Sequence, residues 1–122
     1  MVMKLDFASS TPIYQQIRDE IVQAVADGIF MDGDRLPTIR ALAGEVGINT
    51  MTVNKAYQLL KQEGYIITDR RSGAIVQCAS GKKKAVERKV GKELGLLAAE
   101  AKIAGISQEE FLRICRDAYG SP

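Results

Sequence analysis

Residues 49 to 55 read Asn-Thr-Met-Thr-Val-Asn-Lys, which places two amides, two β-branched hydroxyls and an ammonium within two helical turns. On the leading edge of a helix, these groups have a definite use. Asparagine can pair bidentately with adenine, and threonine offers a hydroxyl together with a methyl that suits the methyl group of thymine. Asn49, Thr50, Thr52, Asn54 and Lys55 therefore form one candidate surface for nucleic acid. Val53, Ala56 and Leu60 hold the same helix from behind. Arg40 upstream and Arg70, Arg71 and Gly73 downstream are further candidates, because basic groups near a duplex meet phosphates.

Other chemistry is poorly supplied. There is no histidine, which removes the commonest general base, the Ser-His and Cys-His pairs and the usual zinc ligand sets. Cys78 and Cys115 are far apart and form no CxxC pair, so they are expected to be reduced and structural. No convergent carboxylate pair is visible. The expectation is a non-enzyme with no metal and no cofactor. At 122 residues and 46% hydrophobic, the chain can bury one modest core plus a small appended element. No run suits a membrane span or a signal peptide, so the expected location is the cytoplasm and no membrane partner is expected.

A net charge of +2 is too small to argue for nucleic acid by itself. Placement says more. Between Arg35 and Arg71 stand six basic residues (Arg35, Arg40, Lys55, Lys61, Arg70, Arg71) against three acidic ones (Glu45, Glu63, Asp69). Any basic face must be local.

The elements that would position these groups follow from periodicity. Ser10 or Thr11 can cap a first helix with Pro12 at its first position, and Ile13, Ile17, Ile21, Ala24 and Val25 recur at helical spacing up to Gly28. Leu36-Pro37 reads as a short extended piece. Thr38 can cap a second helix with Ile39, Leu42, Ala43 and Val46 inside, stopped by Gly47. Gly44 within it costs about 1 kcal/mol relative to alanine. The third helix begins at Asn49 or Thr50, buries Val53, Ala56, Tyr57 and Leu60, and closes at Gly64. Two short helices about a glycine form the helix-turn-helix outline. "YIITD" and "AIVQC" then flank "RRSG", a β-hairpin with two arginines and a glycine at its tip.

After Val76 comes a small-residue joint with a lysine run at 82 to 84, read as a solvated linker. From about Ala85 an apolar stripe through Val86, Val90, Leu94, Leu97, Ala98, Ala101 and Ile103 indicates a long helix closed near Gly105. Ser107 with Glu110 is a capping box for a last helix carrying Phe111, Leu112, Ile114, Cys115 and Tyr119. Two helices cannot bury their apolar faces fully against each other, so this hairpin must pack on the first domain, on a second copy, or on both.

Taken singly, the candidate residues have ordinary readings. Asparagine and threonine cap helices of every function, and arginines at a turn tip are usually surface charges. Their joint occurrence in winged-helix order favours the nucleic-acid reading over that of a protein-interaction module.

The run "STPIYQQIRDEIVQAVADGIFMDGDRLPTIRALAGEVGINTMTVNKAYQLLKQEGYI" resembles the DNA-binding domain of the GntR family of bacterial transcription regulators. The pieces "PIYQQI", "GDRLPTIRALA" and "NTMTVNKAYQLLKQEGYI" favour its YtrA-like branch. The resemblance covers roughly residues 6 to 77, and the short tail matches that branch in size. It implies that Arg40 and hydroxyls near the start of the third helix bind the phosphate backbone. It also implies that Asn49, Thr50, Thr52 and Asn54 face the groove, and that Arg70 with Gly73 forms a wing tip entering the minor groove. Arg71 could add an electrostatic contact. The chain departs from many members at Thr50 and Asn54, where they carry arginines, and at Arg71 and Ala74, where they carry glycine and threonine.

The expected fold is mainly α with a small β wing: a winged helix-turn-helix DNA-binding domain over residues 1–78, then a short two-helix dimerisation hairpin over 79–122. The expected function is a sequence-specific transcription regulator, a repressor, bound as a homodimer to an inverted repeat in double-stranded DNA. A hairpin of this size is too small to enclose a small-molecule effector by itself. Any such ligand would sit between protomers or against the reading head.

Overall fold

The computed structural model describes residues 3–78 and 81–120; the joint expected at 79–80 lies outside the described residues. In chain order the elements are α1 (Ile13–Ala26), α2 (Ile39–Val46), α3 (Thr50–Gln62), β1 (Ile66–Asp69), β2 (Gly73–Val76), α4 (Lys83–Ile103) and α5 (Gln108–Tyr119). The fold is mainly helical with a small antiparallel wing, as anticipated. Internal contacts divide the chain into two units, Met1–Ala79 and Ser80–Pro122.

In the first unit the periodic apolar residues do what their spacing demands. Ile17 and Ile21 of α1, Leu42 of α2, Val53 and Leu60 of α3, Ile66 of β1 and Val76 of β2 are fully buried in one core. Each such side chain stabilises by about 1.5 to 3 kcal/mol relative to exposure. Ala43 and Ala56 are buried among them, where their small side chains let helix backbones approach.

The start of α1 differs from expectation by one position. Pro12 is the cap itself, with an extended ψ of 147°, and neither Ser10 nor Thr11 caps the helix. Gln16 does the fastening instead. Its Oε1 accepts from the Asp6 N–H at 2.8 Å, and its Nε2 donates to the Asp6 and Thr11 carbonyls at 2.9 Å each.

Arg18 ties α1 to the end of α3 by a fork: Nε donates to Glu63 Oε1 at 2.8 Å and Nη2 to Oε2 at 3.1 Å. Burial works against the Arg18 charge, but hydrogen bonds to Glu63 and Asp19 outweigh it and raise the pKa above the ordinary arginine value. Such a bidentate pair fixes geometry as well as contributing energy.

The wing is anchored to the body by a segment read from the sequence as acidic turn residues leading into the extended Leu36-Pro37. Gly33 and Leu36 donate N–H groups to the Val76 and Ala74 carbonyls, and Val76 donates to the Asp34 carbonyl, all at 2.8 Å. Arg35 pairs antiparallel with Ile75. Residues 33 to 36 therefore act as a short third strand along β2.

The second unit holds α4 and α5. The lysine run is not a linker: Lys82 caps α4, and Lys83 and Lys84 form its first turn, so the helix begins two residues before Ala85. At the far end Gly105, with φ +83°, makes the turn and the Ile106 N–H returns to the Ala101 carbonyl at 2.9 Å. Ser107 accepts from the Glu110 N–H at 3.2 Å, which is half of the expected capping box. The Glu110 carboxylate lies instead 3.5 Å from Arg113. The expected hairpin is an open one. Ala101 is the only buried residue of α4 among those described, α5 has none, and the helices meet around their turn.

Candidate nucleic-acid interface

Two caps place the candidate residues. The Thr38 hydroxyl accepts from the Ala41 N–H at 3.0 Å and starts α2, which leaves Arg40 exposed as its second residue. Gly47, in the left-handed region at φ +75°, ends α2, and the Ile48 N–H folds back to the Ala43 carbonyl at 3.0 Å. Only two residues after Gly47, Asn49 caps α3. Its Oδ1 accepts from the Thr52 N–H at 2.8 Å and from the Thr52 hydroxyl at 2.9 Å.

The remaining residues of α3 divide cleanly. Val53, Ala56, Tyr57 and Leu60 are buried, whereas Thr50, Met51, Asn54, Lys55 and Gln58 are exposed. Lys55 stands apart from the other candidates, because its ammonium rests 4.1 Å from the ring centroid of Tyr14 on α1. Such a cation–π contact holds the charge at the flank of the helix facing α1.

Asn54 and Gln58 share a cleft of about 220 Å³ with Thr38 of α2 and with Asp69 and Gly73 of the wing. Tyr57 forms its wall. The Tyr57 hydroxyl donates to the Pro37 carbonyl at 2.6 Å, and burial pushes its pKa up to about 12. At the wing tip the Asp69 carboxylate accepts from the Arg71 N–H at 2.8 Å, and Gly73 adopts φ +73°, a conformation that side-chain-bearing residues seldom take. Arg70 and Arg71 are exposed there.

The structure thus brings Asn54 and Gly73 to one cleft, seats Asn49 and Thr52 on each other, and puts Lys55 against α1. Sequence reading missed two exposed residues of the α3 face. Met51 is 80% exposed at its second position, and Gln58 lies one turn beyond Asn54. The signal for Gln58 was its i, i+4 spacing from Asn54.

A helix pair joined at Gly47, with its second helix exposed along one edge and followed by a β-hairpin, defines the winged helix-turn-helix class. The family model described as "Bacterial regulatory proteins, gntR family" matches residues 13–76, and the chain belongs to the GntR family. It is 37% identical over 113 residues to the HTH-type transcriptional repressor YtrA of Bacillus subtilis, covering 90% of this chain and 86% of that protein. Among solved structures, a GntR-family transcription factor named YtrA from Sulfolobus acidocaldarius is 37% identical with a TM-score of 0.65, covering 78% of this chain and 99% of that one. A transcriptional antiterminator from Listeria monocytogenes is 28% identical with a TM-score of 0.85 over 99% of this chain and 95% of that one. The protein is therefore a DNA-binding transcription regulator of the helix-turn-helix type, and its affinity is with the YtrA-like members.

Proposed function

We propose that the protein represses transcription without any catalytic step, by binding an inverted-repeat operator as a homodimer. The carrying observation is the two-sided α3, whose inner face is wholly committed to the core while its outer edge presents Thr50, Met51, Asn54 and Gln58 to solvent beside the wing. In this reading α3 enters the major groove. Arg40 and the first N–H groups of α2 meet a phosphate, where a helix N-terminus favours an anion. Arg70, Arg71 and Gly73 follow the adjacent backbone or minor groove, and Lys55 serves phosphates at the flank.

The tail supports the dimer. Val90, Leu94 and Leu97 of α4 and Leu112 and Ile114 of α5 are exposed apolar side chains in the chain taken alone. An open groove of about 490 Å³ beside Ala98, Ala101, Phe111 and Leu112 is not enclosed by the tail itself. A second copy closes it, and a small-molecule effector, where one acts, binds at that shared surface.

Gel shift of the purified protein on promoter fragments from its source genome, repeated at rising salt, tests the reading. Retarded bands are expected on a few fragments, with affinity falling steeply as salt rises. Equal retardation of scrambled duplexes would remove sequence-specific operator binding, and no retardation at all would favour a winged-helix interaction module.

A further inference from the structure

Hydrogen-bond capacity separates the two asparagines at the front of α3. A carboxamide oxygen accepts through two lone pairs, and on Asn49 both go to Thr52, one to its N–H and one to its hydroxyl. Asn49 keeps only its Nδ2 donors. Adenine recognition needs a donor for N7 and an acceptor for the N6 amino group, so a capped Asn49 cannot supply it. The Thr52 hydroxyl has likewise given its one proton to that bond.

Further along, Thr50, Asn54 and Gln58 recur at i, i+4 and i+8 and are exposed along one strip. Asn54 and Gln58 both line the cleft beside Gly73, and among the described residues neither carboxamide has a hydrogen-bond partner. Each is free to donate and accept at once. No guanidinium stands on this strip; Lys55, off its edge, is held over Tyr14, and Lys61, exposed on the same face, belongs to the last turn of α3. The arginine that most often pairs with guanine O6 and N7 is therefore missing from the strip, and the lysine it does carry stands a turn beyond Gln58, at the end of α3 far from the Asn49 cap. Met51 adds an exposed apolar group suited to the methyl of thymine.

Resting on the operator-binding reading above, we propose that Asn54 and Gln58 are the adenine-reading pair of α3. The bases they meet in each half-site are then A·T pairs. Asn49, locked by Thr52, is a donor-only group that positions the helix on the phosphate backbone. The rise between positions i and i+4 is about 6 Å, and base pairs are spaced about 3.4 Å apart, so the two adenines stand one to two steps apart.

The test is selection of bound duplexes from a randomised pool with the full chain and with Asn54→Ala, Gln58→Ala and Asn49→Asp, followed by titration of the selected duplex carrying 7-deazaadenine at each read position. The wild-type motif is expected to hold two A·T positions per half-site. Asn54→Ala and Gln58→Ala should each flatten one of them, lowering its discrimination about tenfold. Loss of N7 at that position should weaken the wild type and leave the matching variant unmoved. Asn49→Asp keeps an equally good cap, so it should select the same motif with weaker binding throughout. Circular dichroism melts check that all three exposed-site variants stay folded. A motif with G·C at both positions, or one altered by Asn49→Asp, would overturn the assignment. A wild type that selects no motif at all would overturn the operator-binding reading on which it rests.

Discussion

The two units of this chain solve the problem of apolar side chains in opposite ways. In the first, residues from three helices and both strands close a core in which Ile17, Val53, Ala56 and Leu60 have no solvent exposure at all. In the second, Ala101 is the only buried described residue, and Val90 and Leu97 are about half exposed. A unit with its own core can hold side chains in fixed positions, as recognition of base edges requires. One without a core gains most by acquiring a partner. The difference fits the proposed division, in which the first unit reads and the second assembles.

Breaking the tail should have the largest effect. Leu97→Asp places two unpaired carboxylates in the proposed dimer contact, at a cost of about 4 kcal/mol or more, which is roughly a thousandfold in dimer dissociation. Sedimentation should show monomers, while the thermal unfolding signal of the first unit persists. A variant that stays dimeric would remove α4 from the contact.

Breaking the head comes next. Leu60→Ala leaves a cavity between α1 and α3 and should destabilise the first unit by about 3 kcal/mol. Denaturant melts should record that loss, and operator affinity should fall only as far as unfolding dictates.

A third effect is set by pH. The Tyr57 hydroxyl has a folded pKa of about 12 against an ordinary value of 10.0. Its contribution is thus fully present below pH 10 and is lost as pH rises from 10 through 12. The loss should reach roughly 2 to 3 kcal/mol in the first unit. Tyr57→Phe should flatten that part of the stability profile, and a profile as steep as wild type would assign the loss elsewhere.

The smallest effect sharpens the contrast. A Cβ at Gly44 would meet nothing within 4 Å in this chain. Gly44→Ala should therefore stabilise α2 by about 1 kcal/mol in thermal melts. Should the same change weaken operator binding, close approach of the α2 backbone to DNA would account for the glycine.

Most of the fold was legible because burial here follows helical period. Every apolar position expected in α3 is buried, and Thr38, Gly47 and Ser107 stand at the helix ends their chemistry suits. What was not legible depends on distance along the chain or on a choice among local partners. The pairing of residues 33 to 36 with β2 joins segments about forty residues apart, and nothing in "GDRLP" announces a strand. Lys82 to Lys84 read as linker because charge runs are most often solvated segments, yet the helix starts there although like charge at its N-terminus opposes the dipole. At the candidate interface the locations of Asn49 and Thr52 were foreseeable, but their bond to each other was not, since both residues cap and both bind bases. Lys55 was placed with the groove-facing set because spacing along α3 carries no information about Tyr14.

The hydrogen bonds that Gly33 and Leu36 donate to β2, and that the Asp34 carbonyl accepts from it, bear on how the wing meets DNA. They tie β2 to the body, so in the operator-binding reading the wing reaches the duplex from a base fixed by the fold of the head. A duplex whose groove spacing does not match must itself bend or twist to fit. Discrimination can then come from the stiffness of base steps that no side chain touches.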